Sequence, residues 1–173
     1  MSSRAVEYLL ARNGTAVAKF VNTARGVPPA RWTQQLAPHE WTPAQHAGHL
    51  VLSYQAMTRD LRGEGLLALI GTRRQRFIWR LFGLSQVLVA GRIPHGAPSP
   101  RELLPADASP DRITTLDSLQ QRVAEFDTAI RHASNTAPRH RLTHPYFGRL
   151  SLIQATRLAE AHTLHHATLL RQF

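Results

Sequence analysis

RLSLIQATRLAEAHTLHHATLLRQF, residues 149–173, decides how this chain is read. No proline or glycine follows Gly148, so one helix can run unbroken to Phe173. Within it His162 and His166 stand four apart, a spacing that brings Cβ atoms to about 5–6 Å on one helix face. Two imidazoles so placed can share a metal ion, each nitrogen at roughly 2.0–2.1 Å from it. Ala155, Ala159, Leu169 and Phe173 lie on the same face, which sets the pair on or beside a buried stripe. Histidines at this spacing also occur as ordinary hydrogen-bonded helix residues. The metal reading therefore turns on a third ligand elsewhere in the chain.

Upstream, three further segments carry helical patterning. From Arg4 to Ala24, Val6, Leu9, Leu10, Val17, Phe20, Val21 and Ala24 recur in steps of three and four. Gly26 and Pro28-Pro29 end that helix. Thr42 can cap a second helix with Pro43 as its first residue, where a missing N–H costs nothing. Ala47, Leu50, Val51, Tyr54, Met57 and Leu61 form its expected buried face, and Gly63 and Gly65 close it. A third runs from Asp111 to about Ser134, with Leu116, Leu119, Val123, Phe126 and Ile130 in strict register. Between the second and third lie a basic amphipathic segment, Thr72 to Phe82, and a proline-rich stretch from Pro94 through Pro98, Pro100 and Pro105 to Pro110. Residues 135–146 read as a polar, basic loop.

Four long helices without an alternating strand predict an all-α four-helix bundle, residues 1–173 forming one domain. Its short first and third links suit antiparallel neighbours. The long link, residues 65–110, permits a crossover, so the predicted order is up-down-down-up. That order lays the N-terminal half of the second helix beside the C-terminal half of the last one. His49 then comes level with His162 and His166, where a third ligand is needed. The loop His144 to Gly148 lies about 14 residues, roughly 20 Å along the helix, before His162, so His144 is not expected to join the same ion.

Composition narrows the chemistry. The chain has no cysteine, which removes disulfides, thiolate nucleophiles and cysteine-held metals together. Any metal must sit on histidine and oxygen ligands. The absence also suits a reducing, cytoplasmic setting. No apolar run is long enough to span a bilayer. The chain carries 21 Lys+Arg against 11 Asp+Glu, a formal net charge of +10, which attracts anions of every kind. Arg73, Arg74, Arg76 and Arg80 are expected to be solvated, and the same segment is a candidate homodimer contact. No helix-turn-helix, RNP or zinc-finger pattern accompanies the charge, so no specific nucleic-acid partner is expected.

The segment Trp41-Thr-Pro-Ala-Gln-His-Ala-Gly-His49 resembles the tryptophan-led helix start of the DinB-like superfamily. His162-Thr-Leu-His-His166 resembles that superfamily's second signature, and His144-Pro-Tyr-Phe-Gly148 is similar to an uncharacterised branch of it. The resemblance implies an up-down-down-up bundle. It also implies a divalent metal, zinc or nickel, on His49, His162 and His166, with water completing the site. Characterised relatives include S-transferases that use bacillithiol, mycothiol or glutathione, and a mycothiol-dependent maleylpyruvate isomerase. His46 departs from the pattern, standing where relatives place an aliphatic residue. It can bind metal, hydrogen-bond the metal-bound water or simply pack. His165 is a second nearby candidate, since a 162/165 pairing is also sterically open.

The leading expectation is a metal-dependent enzyme acting on a small molecule, with an open coordination position. Lacking cysteine, it would draw a thiol from a low-molecular-weight cofactor. A metal-dependent hydrolase is the alternative, weakened because Glu160 falls on the other side of the helix from His162. From another class comes a non-catalytic basic bundle binding anions or nucleic acid, whose affinity would fall steeply with salt.

Overall fold

The computed structural model describes residues 3–65, 67–91, 93, 99–105 and 111–173. Pro94, Pro98 and Pro110 of the proline-rich stretch lie outside them. Four long helices dominate: α1 (Ser3–Gly26), α2 (Pro43–Leu61), α5 (Arg112–Thr136) and α6 (Leu152–Leu169), with the shorter α3 (Arg73–Ile78) and α4 (Ser85–Ala90) between α2 and α5. Among the described residues no helix is long and apolar enough to cross a membrane.

The helix starts follow from local chemistry. Thr42 Oγ1 accepts the Gln45 N–H at 3.1 Å while Gln45 Oε1 accepts the Thr42 N–H at 2.9 Å. Two amides that the helix cannot pair internally are thereby satisfied. The same reciprocal pair forms at Thr72 and Gln75 ahead of α3, and at Ser151 and Gln154 ahead of α6. Asp111 caps α5 by accepting the Thr114 N–H at 3.1 Å. Between α3 and α4 the chain continues as a wider π-helical turn, Trp79–Leu84. Gly83 lies in it against Phe147, where an added Cβ would stand 3.3 Å from the ring.

The expected stripes are buried for the most part, with Leu9, Val51, Met57 and Leu61 only half-buried. Val6, Leu10, Val17, Phe20, Val21 and Ala24 line α1; Ala47, Leu50 and Tyr54 line α2; Leu116, Leu119, Val123, Phe126 and Ile130 line α5. Each large apolar side chain contributes roughly 1.5–3 kcal/mol by leaving water. The closest helix pairings are α1 with α6 and α2 with α5. The long link thus joins close neighbours, whereas the short links join α1 to α2 and α5 to α6, which are not among the close pairings. Tyr54 ties three helices at the centre. Its hydroxyl donates to Asn13 Oδ1 at 2.8 Å and shares a 2.9 Å hydrogen bond with Thr163 Oγ1, and its ring stands edge-on to Phe126.

Two sequence expectations need correction. Residues 141–151 form a small antiparallel hairpin rather than a loop running into a helix. Its strands are β1 (Arg141–His144) and β2 (Gly148–Ser151), paired Arg141 to Ser151 and His144 to Gly148. The last helix accordingly starts at Leu152, not Arg149, because 148–151 are committed to the strand. Leu142 and Leu150 face the core, and Asp60 at the end of α2 accepts the Thr143 N–H. The arginines of the basic segment also divide. Arg73 and Arg74 are exposed, whereas Arg76 and Arg80 are half-buried. Arg80 Nη1 donates to the Phe147 carbonyl at 3.2 Å and to the Arg149 carbonyl at 2.6 Å, clamping the segment onto the hairpin.

Candidate metal centre

His49 lies in the second turn of α2; His162 and His166 lie one turn apart in α6. Their ring nitrogens meet. His49 Nε2 is 3.1 Å from His162 Nε2, and His166 Nε2 is 3.0 Å from the same atom. Among the described residues these three form a group whose ligating atoms all fall within 4.8 Å of one another. Tetrahedral coordination at 2.0–2.1 Å needs nitrogens about 3.3–3.4 Å apart, so small ring rotations accommodate an ion.

The outer nitrogens decide which protons are present. His49 Nδ1 is 2.8 Å from the Leu103 carbonyl, an acceptor only, so Nδ1 carries the proton and Nε2 keeps its lone pair. His166 Nδ1 is 2.9 Å from His46 Nδ1. When His166 donates that hydrogen bond, its Nε2 also turns a lone pair inward and His46 takes the Nε2–H form. An imidazole orients an imidazole here, a task more often given to a carboxylate or carbonyl. Nitrogen lone pairs converging in a buried space suit a cation.

Burial keeps the rings neutral, the form a metal needs. His46 is pushed down to about 4, first by burial and then by His49 and His165. Burial also lowers His49, partly offset by the Leu103 carbonyl. His162 and His166 fall well below the usual imidazole value, by burial first and then by the neighbouring histidines. Trp41 roofs the cluster, its ring 4.8 Å from that of His49 and stacked within 7° of parallel over His166 at 6.2 Å. His165 is half-buried and edge-on to His166, centroids 5.3 Å apart, outside the converging group.

As expected, His144 is not one of the converging ligands. The hairpin folds it back so that it lines the same cavity as the triad. Its Nδ1 accepts the N–H groups of Tyr146 and Phe147 at 3.3 and 3.2 Å, which places the ring proton on Nε2. Glu160 is turned away, held by Arg12 at 2.7 Å. The Leu103 carbonyl and Ser53 escaped the sequence reading. Ser53 follows His49 by four residues, a spacing that would have flagged it; no local pattern announces a carbonyl 54 residues away.

A family model described as the DinB superfamily matches residues 14–170. No curated protein and no solved structure matches the chain.

Proposed function

We propose, from the fact that this chain belongs to the DinB superfamily, that it is a metal-dependent enzyme. His49, His162 and His166 would hold one divalent ion, zinc or nickel. The observation that carries this is the meeting of three imidazole nitrogens, two of the contacts being 3.0 and 3.1 Å. In the same reading the four long helices make an up-down-down-up bundle in a single domain, working in the cytoplasm as a monomer or homodimer.

Three neutral histidines leave a coordination position open, the pattern of catalytic rather than structural sites. A bound ion would supply Lewis-acid activation of a thiol or of water. The protein's own part is to orient and to exclude water. Leu103 and His46 fix the imidazoles, and Trp41 covers them. A thiol-dependent S-transferase or isomerase is favoured over a hydrolase, because Glu160, a carboxylate on the ligand helix, is taken up by Arg12. The thiol must come from a small molecule, since the chain has no cysteine.

Elemental analysis of protein purified without an affinity tag tests the reading. One zinc or nickel per chain, lost in His162→Ala, is expected. Metal-free protein that takes up neither ion on addition would refute it and leave the basic anion-binding bundle as the better account.

A further inference from the structure

The imidazoles form part of the wall of a cavity of about 930 Å³, within the range of sites that enclose small organic molecules. Its character opposes that of the surface. The chain has 21 Lys+Arg, yet none of the described residues lining the cavity is a lysine or arginine. Glu40, exposed on the loop before α2, is the one charged side chain among them. Trp79, Val87, Leu142, Phe147 and Leu158 supply apolar wall.

Along α2, His49, Ser53 and Met57 line the space at successive i+4 positions, about 6 Å of rise per step. Ser53 is only 6% exposed, and its hydroxyl has no hydrogen-bond partner among the described residues. An unpaired buried hydroxyl is costly, and this one lines the cavity between His49 and Met57 on α2. An anionic group lying beside it would lose its water and meet no countercharge.

We propose that the cavity binds an uncharged, mainly apolar molecule lying along α2 from the imidazoles past Ser53, with one hydrogen-bonding group on the Ser53 hydroxyl. The inference rests on the metal-enzyme reading for what happens at the imidazole end, while the binding itself needs no metal. It also constrains any thiol partner: carboxylates on it must stay outside the apolar part.

Two dyes with one ring system test this, neutral N-phenyl-1-naphthylamine and anionic 8-anilinonaphthalene-1-sulfonate. Fluorescence titrations are run with EDTA and with zinc, at about 0.5 M salt to screen the exposed arginines. The neutral dye should saturate at one per chain in both states, and the sulfonate should bind at least about tenfold more weakly. Ser53→Leu, which fills the space, should weaken the neutral dye by about tenfold or more. Ser53→Ala, which keeps the space and removes the hydroxyl, should weaken it several-fold; this milder variant carries the test if the leucine variant does not fold. Equal binding of the two dyes, no effect of Ser53→Ala, or no effect of a folded Ser53→Leu overturns the proposal. Zinc uptake without saturable neutral-dye binding overturns it and spares the metal reading. Dye binding without uptake of zinc or nickel supports the cavity assignment and overturns the metal reading alone.

Discussion

His46 Nδ1 lies 2.9 Å from His166 Nδ1, so the orientation of one candidate ligand depends on a histidine that is not itself among the three. Losing such an outer partner commonly weakens metal affinity by about 10–100-fold. His46→Ala should fall in that range by chelator competition, and His162→Ala should abolish binding. Equal losses in the two variants would make His46 a ligand rather than a support.

Acid should destabilise the metal-free protein. His46 and His144 are held down to about 4 by burial, so between pH 6.5 and 4 the unfolded chain binds protons that the folded chain refuses. Stability is therefore full above pH 6.5 and declines as pH falls through this window. The decline amounts to about 1.4 kcal/mol per pH unit for each fully discriminating group. Urea midpoints measured in EDTA from pH 7.5 to 4.5 check the sign. A flat profile would mean that these rings are solvated.

Tyr54→Phe should cost about 1–3 kcal/mol, because the lost hydroxyl leaves Asn13 Oδ1 and Thr163 Oγ1 without their buried partner. Zinc stoichiometry should be unchanged. A neutral result in chemical denaturation would show that the three-helix tie carries no stability.

Arg80→Ala should loosen the hairpin selectively, since Arg80 holds the Phe147 and Arg149 carbonyls. Amide exchange at Leu142 and Leu150 is expected to quicken while α5 keeps its protection. Uniform exchange across both regions would refute the clamp.

The long helices were legible because Val6 to Ala24 and Leu116 to Ile130 repeat their spacing over several turns, and because Thr42-Pro43 and Asp111 mark starts. The nearness of the three imidazoles was legible in part: i,i+4 spacing aligns His162 with His166, and the long second link was the reason to expect His49 beside them. The hairpin was not. Each of its strands has four residues and a single buried apolar side chain, Leu142 or Leu150, too few to display a period of two. Its support comes from Asp60, 83 positions away from Thr143. The partnership of His46 with His166 depends on ring orientation across two helices, which neither helix's own sequence specifies.

The pairing of α1 with α6 has a consequence for the order in which the molecule is built. Val6, Leu10, Phe20 and Val21 are synthesised early, but the helix that packs most closely on α1 spans Leu152–Leu169. A growing chain can join α2 to α5 before α6 exists, whereas the face of α1 that packs on α6 stays uncovered until then. The same late helix brings two of the three imidazoles, so a cation held as proposed would bind only after that helix has docked and would stabilise the finished fold over its precursors.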